Sequence, residues 1–240
     1  MTSPDSPSLL IFGAHPDDIE FGCGAVIAVE TRSGQTAHSV VCSLGEAATN
    51  GTPEERKAES TSAAKLLGST IEFIKLDGDS HLEIKSEHTI KLAELIRKYR
   101  PNILLAPTCY ENQHPDHWRL GQMVRDAARI ARYGGMKELK SHKAHAINQL
   151  FFYAVTPEGE PRDTTPILID ISAPEIITVW TAAMNAHVTQ AASRNYIELQ
   201  LTRAKLMGAR AGVEYATALF PNDPMVFESL AHAGKGARRF

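Results

Sequence analysis

The sequence predicts an α/β fold of three layers, with a mostly parallel sheet between two layers of helices. Three observations predict it. Short apolar runs of strand length alternate with longer amphipathic stretches through the first half of the chain. One helical stretch, residues 86–99, repeats its apolar positions at three- and four-residue steps. The unusual polar residues gather in the loops that follow the apolar runs, where open sheets of this kind bind ligands.

The elements follow in order. Residues 8–13 (SLLIFG) read as a buried strand and 20–32 as a helix. Residues 37–44 (AHSVVCSL) are a second strand, and 53–67 a helix with Pro53 at its start and a charged first turn. A third strand covers 70–76, and a helix covers 86–99. A fourth strand covers 102–106, followed by a loop to His117 and a helix over about 118–131. Strands at 149–155 and 166–171 and helices at 174–186 and 195–211 are expected in the less regular second half, with a loop-rich segment after Tyr215. No repeat or low-complexity linker divides the chain, so 1–240 reads as one domain, irregular from about residue 145. The alternation makes the sandwich Rossmann-like.

Composition narrows the function. With 240 residues, 43% hydrophobic and 22% charged, the chain has ample material for a buried core. A formal charge of −3 gives no electrostatic footprint for nucleic acid. Cys23, Cys42 and Cys109 lie in or beside apolar segments without CxxC spacing, as expected of buried thiols in a reducing cytoplasm. The start, MTSPDSP, lacks a basic export signal, and no apolar run approaches ~18 residues. A cytoplasmic enzyme that does not span a membrane is expected.

Two motifs carry chemistry. Gly13-Ala14-His15-Pro16-Asp17-Asp18 follows the first strand, and His114-Pro115-Asp116-His117 follows the fourth. Two His/Asp clusters on neighbouring strand ends of one sheet predict a metal site. Imidazole and carboxylate ligands without thiolate suit zinc or a comparable divalent ion with a position open to water. His15, Asp18 and His117 supply the three ligands such a site needs. Asp17, beside them, is placed to take a proton from water. His114 can donate to the leaving amine or the oxyanion, and Asp116 either orients His114 or caps the following helix. The same two-His, one-carboxylate set could hold Fe(II) in an oxygenase, but an acid and a base are what hydrolysis requires. A nucleotide-binding module is disfavoured, because the first loop lacks GxGxxG and any Walker-type GxxxxGK.

At these residues the sequence resembles the LmbE-like, or PIG-L, family of zinc-dependent N-acetylglucosamine deacetylases. The likeness is closest to the bacillithiol-pathway branch, which acts on N-acetylglucosaminyl malate. It extends to Asn50-Gly51-Thr52 with Arg56, to Arg100-Pro101, and to Arg203-Ala204-Lys205 through Tyr215-Ala216. The resemblance implies that His15, Asp18 and His117 hold zinc (iron(II) or another divalent ion being the alternative), that Asp17 is the base, and that His114 is the acid or oxyanion partner. It implies substrate contacts by Arg56 and Asp79, and assembly into a trimer or hexamer. Two departures stand out: Ala146 where relatives carry an arginine near the active site, and His187 where they carry a mobile tyrosine. His187 then either replaces the tyrosine against substrate or lies on a helix surface. Other amino-sugar amides remain open as substrates: a chitooligosaccharide end, a mycothiol-like inositol glycoside, or an antibiotic glycoside.

Overall fold

Leu9–Gly13, five consecutive buried residues, form the strand β1 on which the molecule is built. A computed structural model describes residues 7–111, 114–191 and 195–236, so the polar segment before Pro7 lies outside the described residues. The other strands are β2 (Ala37–Val41), β3 (Ser69–Phe73), β4 (Ile103–Pro107), β5 (Gln149–Tyr153), β6 (Ile167–Asp170) and β7 (Ala216–Pro221). The sheet order is β3-β2-β1-β4-β5-β7-β6. The first five strands in that order pair in parallel, and β7 runs antiparallel to both β5 and β6.

Strand residues alternate between two cores, as a pleated backbone requires. Leu10, Phe12, Leu104 and Phe152 pack beneath the helices α3 (Ser86–Tyr99) and α4 (Pro115–Ile130). Leu9, Ile11, Leu105 and Tyr153 pack beneath α1 (Asp18–Arg32), α2 (Pro53–Leu67) and α5 (Pro174–Asn185). A short α6 (Val188–Ala191) and the longer α7 (Tyr196–Ala211) complete the chain's helices among the described residues. No helix among them is long and apolar enough to cross a membrane.

Three differences from the sequence reading matter. The segment after Tyr215 contains a strand, β7, rather than loop alone. Its ATALFP run has too few β-branched residues to announce itself, and pairing on both edges makes it a strand. Second, α1 begins at Asp18 and α4 at Pro115, each two or three residues earlier than expected. Pro115 occupies a first-turn position, where its missing N–H costs nothing. Third, both motifs therefore end inside first helical turns rather than in free loops. Strands β1 and β4 are neighbours whose connections leave in opposite directions, so the crevice between their carboxyl ends is the sheet's switch point.

Candidate metal centre

Both motifs converge at that crevice. After Gly13 the chain folds around one carboxylate: Ala14 N–H and His15 N–H both donate to Asp18 Oδ2, at 3.0 and 2.8 Å. This turn forces Asp17 to φ 116°, ψ −27°. A non-glycine residue in that region stores on the order of 1–3 kcal/mol, a cost met mainly at functional sites. Ser80, in the loop after β3, also has positive φ (64°).

His15, Asp18 and His117 meet as a triangle. His15 Nδ1 lies 3.2 Å from His117 Nε2 and 3.4 Å from Asp18 Oδ2, and His117 Nε2 lies 3.0 Å from Asp18 Oδ1. Ligands ~2.0–2.2 Å from a tetrahedral zinc stand ~3.3 Å apart, so the three side chains already have the spacing of a shared ion. Ligand-capable atoms of His15, His114 and His117 also fall within 4.8 Å of one another, as do those of His15, Asp79, His114 and Asp116. All three proposed ligands are buried. The buried His117 Nδ1 has no hydrogen-bond partner among the described residues. The donor set and spacing fit a divalent cation.

The opposite edge of His15 is held by carboxylates. His15 Nε2 lies 3.1 Å from Asp116 Oδ2 and 3.2 Å from Asp79 Oδ1. Ser80 N–H donates to Asp116 Oδ2 at 2.7 Å, and Ser80 Oγ–H donates to Asp79 Oδ1 at 3.0 Å. Such outer carboxylates fix a ligating imidazole's tautomer and orientation.

The electrostatics follow from this crowding. Burial alone would lower His15, but the charge of Asp18 and bonds to Asp116, Asp18 and Asp79 raise it well above the ordinary histidine value. Burial would raise Asp18, but His117 and His15 hold its carboxyl well below the usual range. Asp17 moves the other way. Burial, then the charge of Asp18, push it up to about 6, against the pull of Arg56, His187 and His15.

His114 occupies the N-cap of α4, its Nδ1 accepting the Asp116 N–H at 3.3 Å. Burial, followed by the charges of His15 and His117, lowers its pKa. A neutral His114 whose Nδ1 accepts carries its proton on Nε2, so it is a hydrogen-bond donor there. Asp116 neither caps α4 nor orients His114. It faces His15 from the helix's first turn.

The expected substrate contacts are placed differently. Arg56 is 3% exposed, neither a solvated helix residue nor a free hand for substrate. Its NH2 group donates to Pro16 O at 2.6 Å and Asp17 Oδ2 at 3.2 Å, and NH1 donates to Gly45 O at 3.4 Å. Gly45, at φ +71°, makes room: a Cβ there would stand 2.1 Å from Arg56 NH1. Asp79 is likewise buried, behind His15. His187 has no exposed surface, so it lies on no helix surface, and its Nε2 is 3.2 Å from Glu20 Oε2. Ala146 precedes β5, in the segment where His145 Nε2 donates to Pro101 O just before β4. That is the amino end of the parallel strands, opposite the crevice, so Ala146 replaces no residue of this site. Sequence reasoning missed Ser80 and Glu20. The Gly78-Asp79-Ser80 turn could have pointed to Ser80; nothing around Glu20 marks it.

Comparison with known proteins extends this geometry. The model of the family PIG-L, GlcNAc-PI de-N-acetylase, matches residues 10–128, which include both motifs. The uncharacterized deacetylase YaiS of Escherichia coli K12 is 34% identical over 127 residues, 50% of this chain and 68% of that protein. The chain belongs to the PIG-L family. Further similar proteins differ in their stated activities. The diacetylchitobiose deacetylase of Thermococcus kodakarensis is 29% identical over 203 residues, 78% of this chain and 71% of that protein. The 4-oxalmesaconate hydratase of Pseudomonas putida is 26% identical over 149 residues, and the match spans only 57% of each chain. Among solved structures, the conserved protein TT1542 of Thermus thermophilus superposes with a TM-score of 0.82 at 28% identity, covering 92% of this chain and 97% of that one. The PIG-L match stops short of His187, which therefore carries no family support from it.

Proposed function

We propose that this PIG-L protein is a metal-dependent N-deacetylase that frees the amine of an N-acetylglucosamine conjugate, with N-acetylglucosaminyl malate as its first candidate substrate. The observation that carries the reading is the triangle of His15, Asp18 and His117, with a strained, half-buried carboxyl of raised pKa on the adjoining residue, Asp17. A divalent cation, zinc first and iron(II) second, would be held by these three residues and would acidify water and polarise the acetyl carbonyl. Asp17 takes the proton of the attacking water. His114, with Nε2–H available, donates to the oxyanion that develops on the carbonyl. The proton taken by Asp17 is then returned to the leaving amine, so acetate and free amine leave together. Arg56 holds Asp17 in place, while Asp79 and Asp116 hold His15.

The malate conjugate is supported by the sequence resemblance around Asn50-Gly51-Thr52 and Arg203-Ala204-Lys205; the chitobiose-acting relative supports a chitooligosaccharide as an alternative. The same resemblance supports a homo-oligomer of three or six copies, and the thiols without CxxC spacing support a cytoplasmic location. The test is acetate release from a panel holding N-acetylglucosaminyl malate, diacetylchitobiose, an inositol glycoside and an antibiotic glycoside, with and without chelator. Release from none of them by metal-loaded protein would reject the reading.

A second reading has one specific observation in its favour, the similarity to the hydratase. Adding water across a conjugated double bond would use the same base and the same cation. Loss of ultraviolet absorbance from 4-oxalmesaconate, with no acetate released from any amide, would favour it over the deacetylase.

A further inference from the structure

On the far side of the sheet, three arginines line a cavity of about 430 Å³. Arg125, Arg129 and Arg132 stand at i, i+4 and i+7, so α4 and the turn that follows it present all three on one face. The opposite wall is formed by Asn148 and Gln149 at the amino end of β5, and by Asn222 and Asp223 beyond β7. This is the end of the sheet opposite the metal centre, and none of these residues takes part in the proposed hydrolysis.

The charges there are poorly compensated. Neither Arg129 nor Arg132 has an ion pair among the described residues. Arg132 stands 5.9 Å from the ring of Tyr133, and Arg125 Nε is 3.8 Å from Asp126. The one carboxylate on the wall, Asp223, is engaged by the Asn222 side-chain amide at 2.8 Å. Two buried polar atoms on the lining, Arg125 Nε and Gln149 Oε1, have no hydrogen-bond partner among the described residues. Like charges four residues apart on a helix repel, and here they collect in one hollow of a chain whose net charge is −3. Guanidinium groups beside amide donors, two of them without an ion pair among the described residues, form the chemistry that recognises phosphate, and the volume suits a small metabolite rather than a polymer.

We propose that this cavity is a second ligand site, binding a small soluble phosphate ester through Arg125, Arg129 and Arg132. Thermal unfolding of the metal-loaded protein in increasing inorganic phosphate, at constant ionic strength, tests it. The wild type should show a saturable rise in Tm, because a ligand bound only by the native state stabilises it by mass action. Arg129→Glu/Arg132→Glu should lose that rise while still releasing acetate at the wild-type rate. Lys137→Glu/Lys140→Glu, which makes the same charge change on exposed residues outside the cavity, should keep it. If the arginine double variant does not fold, Arg132→Gln should weaken apparent phosphate affinity at least threefold. The proposal fails if the wild type shows no saturable rise. It also fails if the rise is equal in all variants, or if the lysine variant loses it as fully as the arginine variant.

Discussion

Arg56 NH2 lies 3.2 Å from Asp17 Oδ2, and the same group donates to the carbonyl of Pro16 at 2.6 Å. One buried cation thus ties α2 both to the proposed base and to the turn that strains it. Removing it leaves the base unanchored and takes from the Pro16 carbonyl its guanidinium donor, while Gly45 O keeps the Ala48 N–H. Arg56→Ala should cost about 1–3 kcal/mol of stability, the usual consequence of stranding a buried hydrogen-bonding group. It should lower kcat at least tenfold with a smaller change in KM, and Arg56→Lys should restore part of kcat. Denaturant unfolding and steady-state kinetics check both.

Gly45 should prove as sensitive as the residue it accommodates. A methyl group there meets Arg56 NH1 at 2.1 Å and sits on a backbone of φ +71°. Gly45→Ala should destabilise by about 1–3 kcal/mol and lower kcat in the same direction as the Arg56 variants. Urea unfolding beside an activity assay decides it.

Asp17 makes the stability of the metal-free protein depend on pH in an unusual direction. Its carboxyl is raised from 3.8 to about 6 by burial and by Asp18. Between about pH 4 and pH 6 the native state therefore holds more protons than the unfolded one, and stability falls as pH rises through that window. Asp17→Asn should remove this fall and leave the metal-free protein more stable near pH 7, on the order of 2–3 kcal/mol. The same variant should keep its cation and lose 10²–10⁴-fold in turnover, the range for a lost general base. Denaturation at pH 4 and pH 7 tests the stability change, metal analysis the retained cation, and acetate release the lost turnover.

Gly121 fixes where α4 can sit. A Cβ on it would stand 2.2 Å from the carbonyl oxygen of Pro107, at the end of β4. Because that neighbour is backbone, it cannot swing away. Gly121→Ala should shift α4 off β4, carrying His117 with it, and so weaken metal binding as well as lowering Tm. Calorimetric titration with zinc would show the loss.

Much of the site could be read from sequence for a topological reason. Once four parallel strands were inferred from their apolar runs, the loops after β1 and β4 had to meet, and with them His15, Asp18 and His117. Side-chain direction was another matter. Arg56 follows a strand end, as a substrate contact would, yet turns inward because Pro16 and Gly45 offer carbonyls and Gly45 offers space. Asp116 has the spacing of a partner for His114, but Ser80 N–H, from a loop 36 residues away, draws it toward His15. His187 pairs with Glu20 across 167 positions of sequence, and nothing local to either residue encodes that meeting. Strand β7 was missed because its neighbours, not its composition, make it a strand.

Acetate release from N-acetylglucosaminyl malate, before and after removal of bound metal, tests the central claim most directly. The protein as purified should contain about one divalent ion per chain, lose activity on chelation, and regain it on adding zinc or iron(II), whereas His117→Ala should do none of these. Full activity in protein verified to be metal-free, or in His117→Ala, would contradict the account.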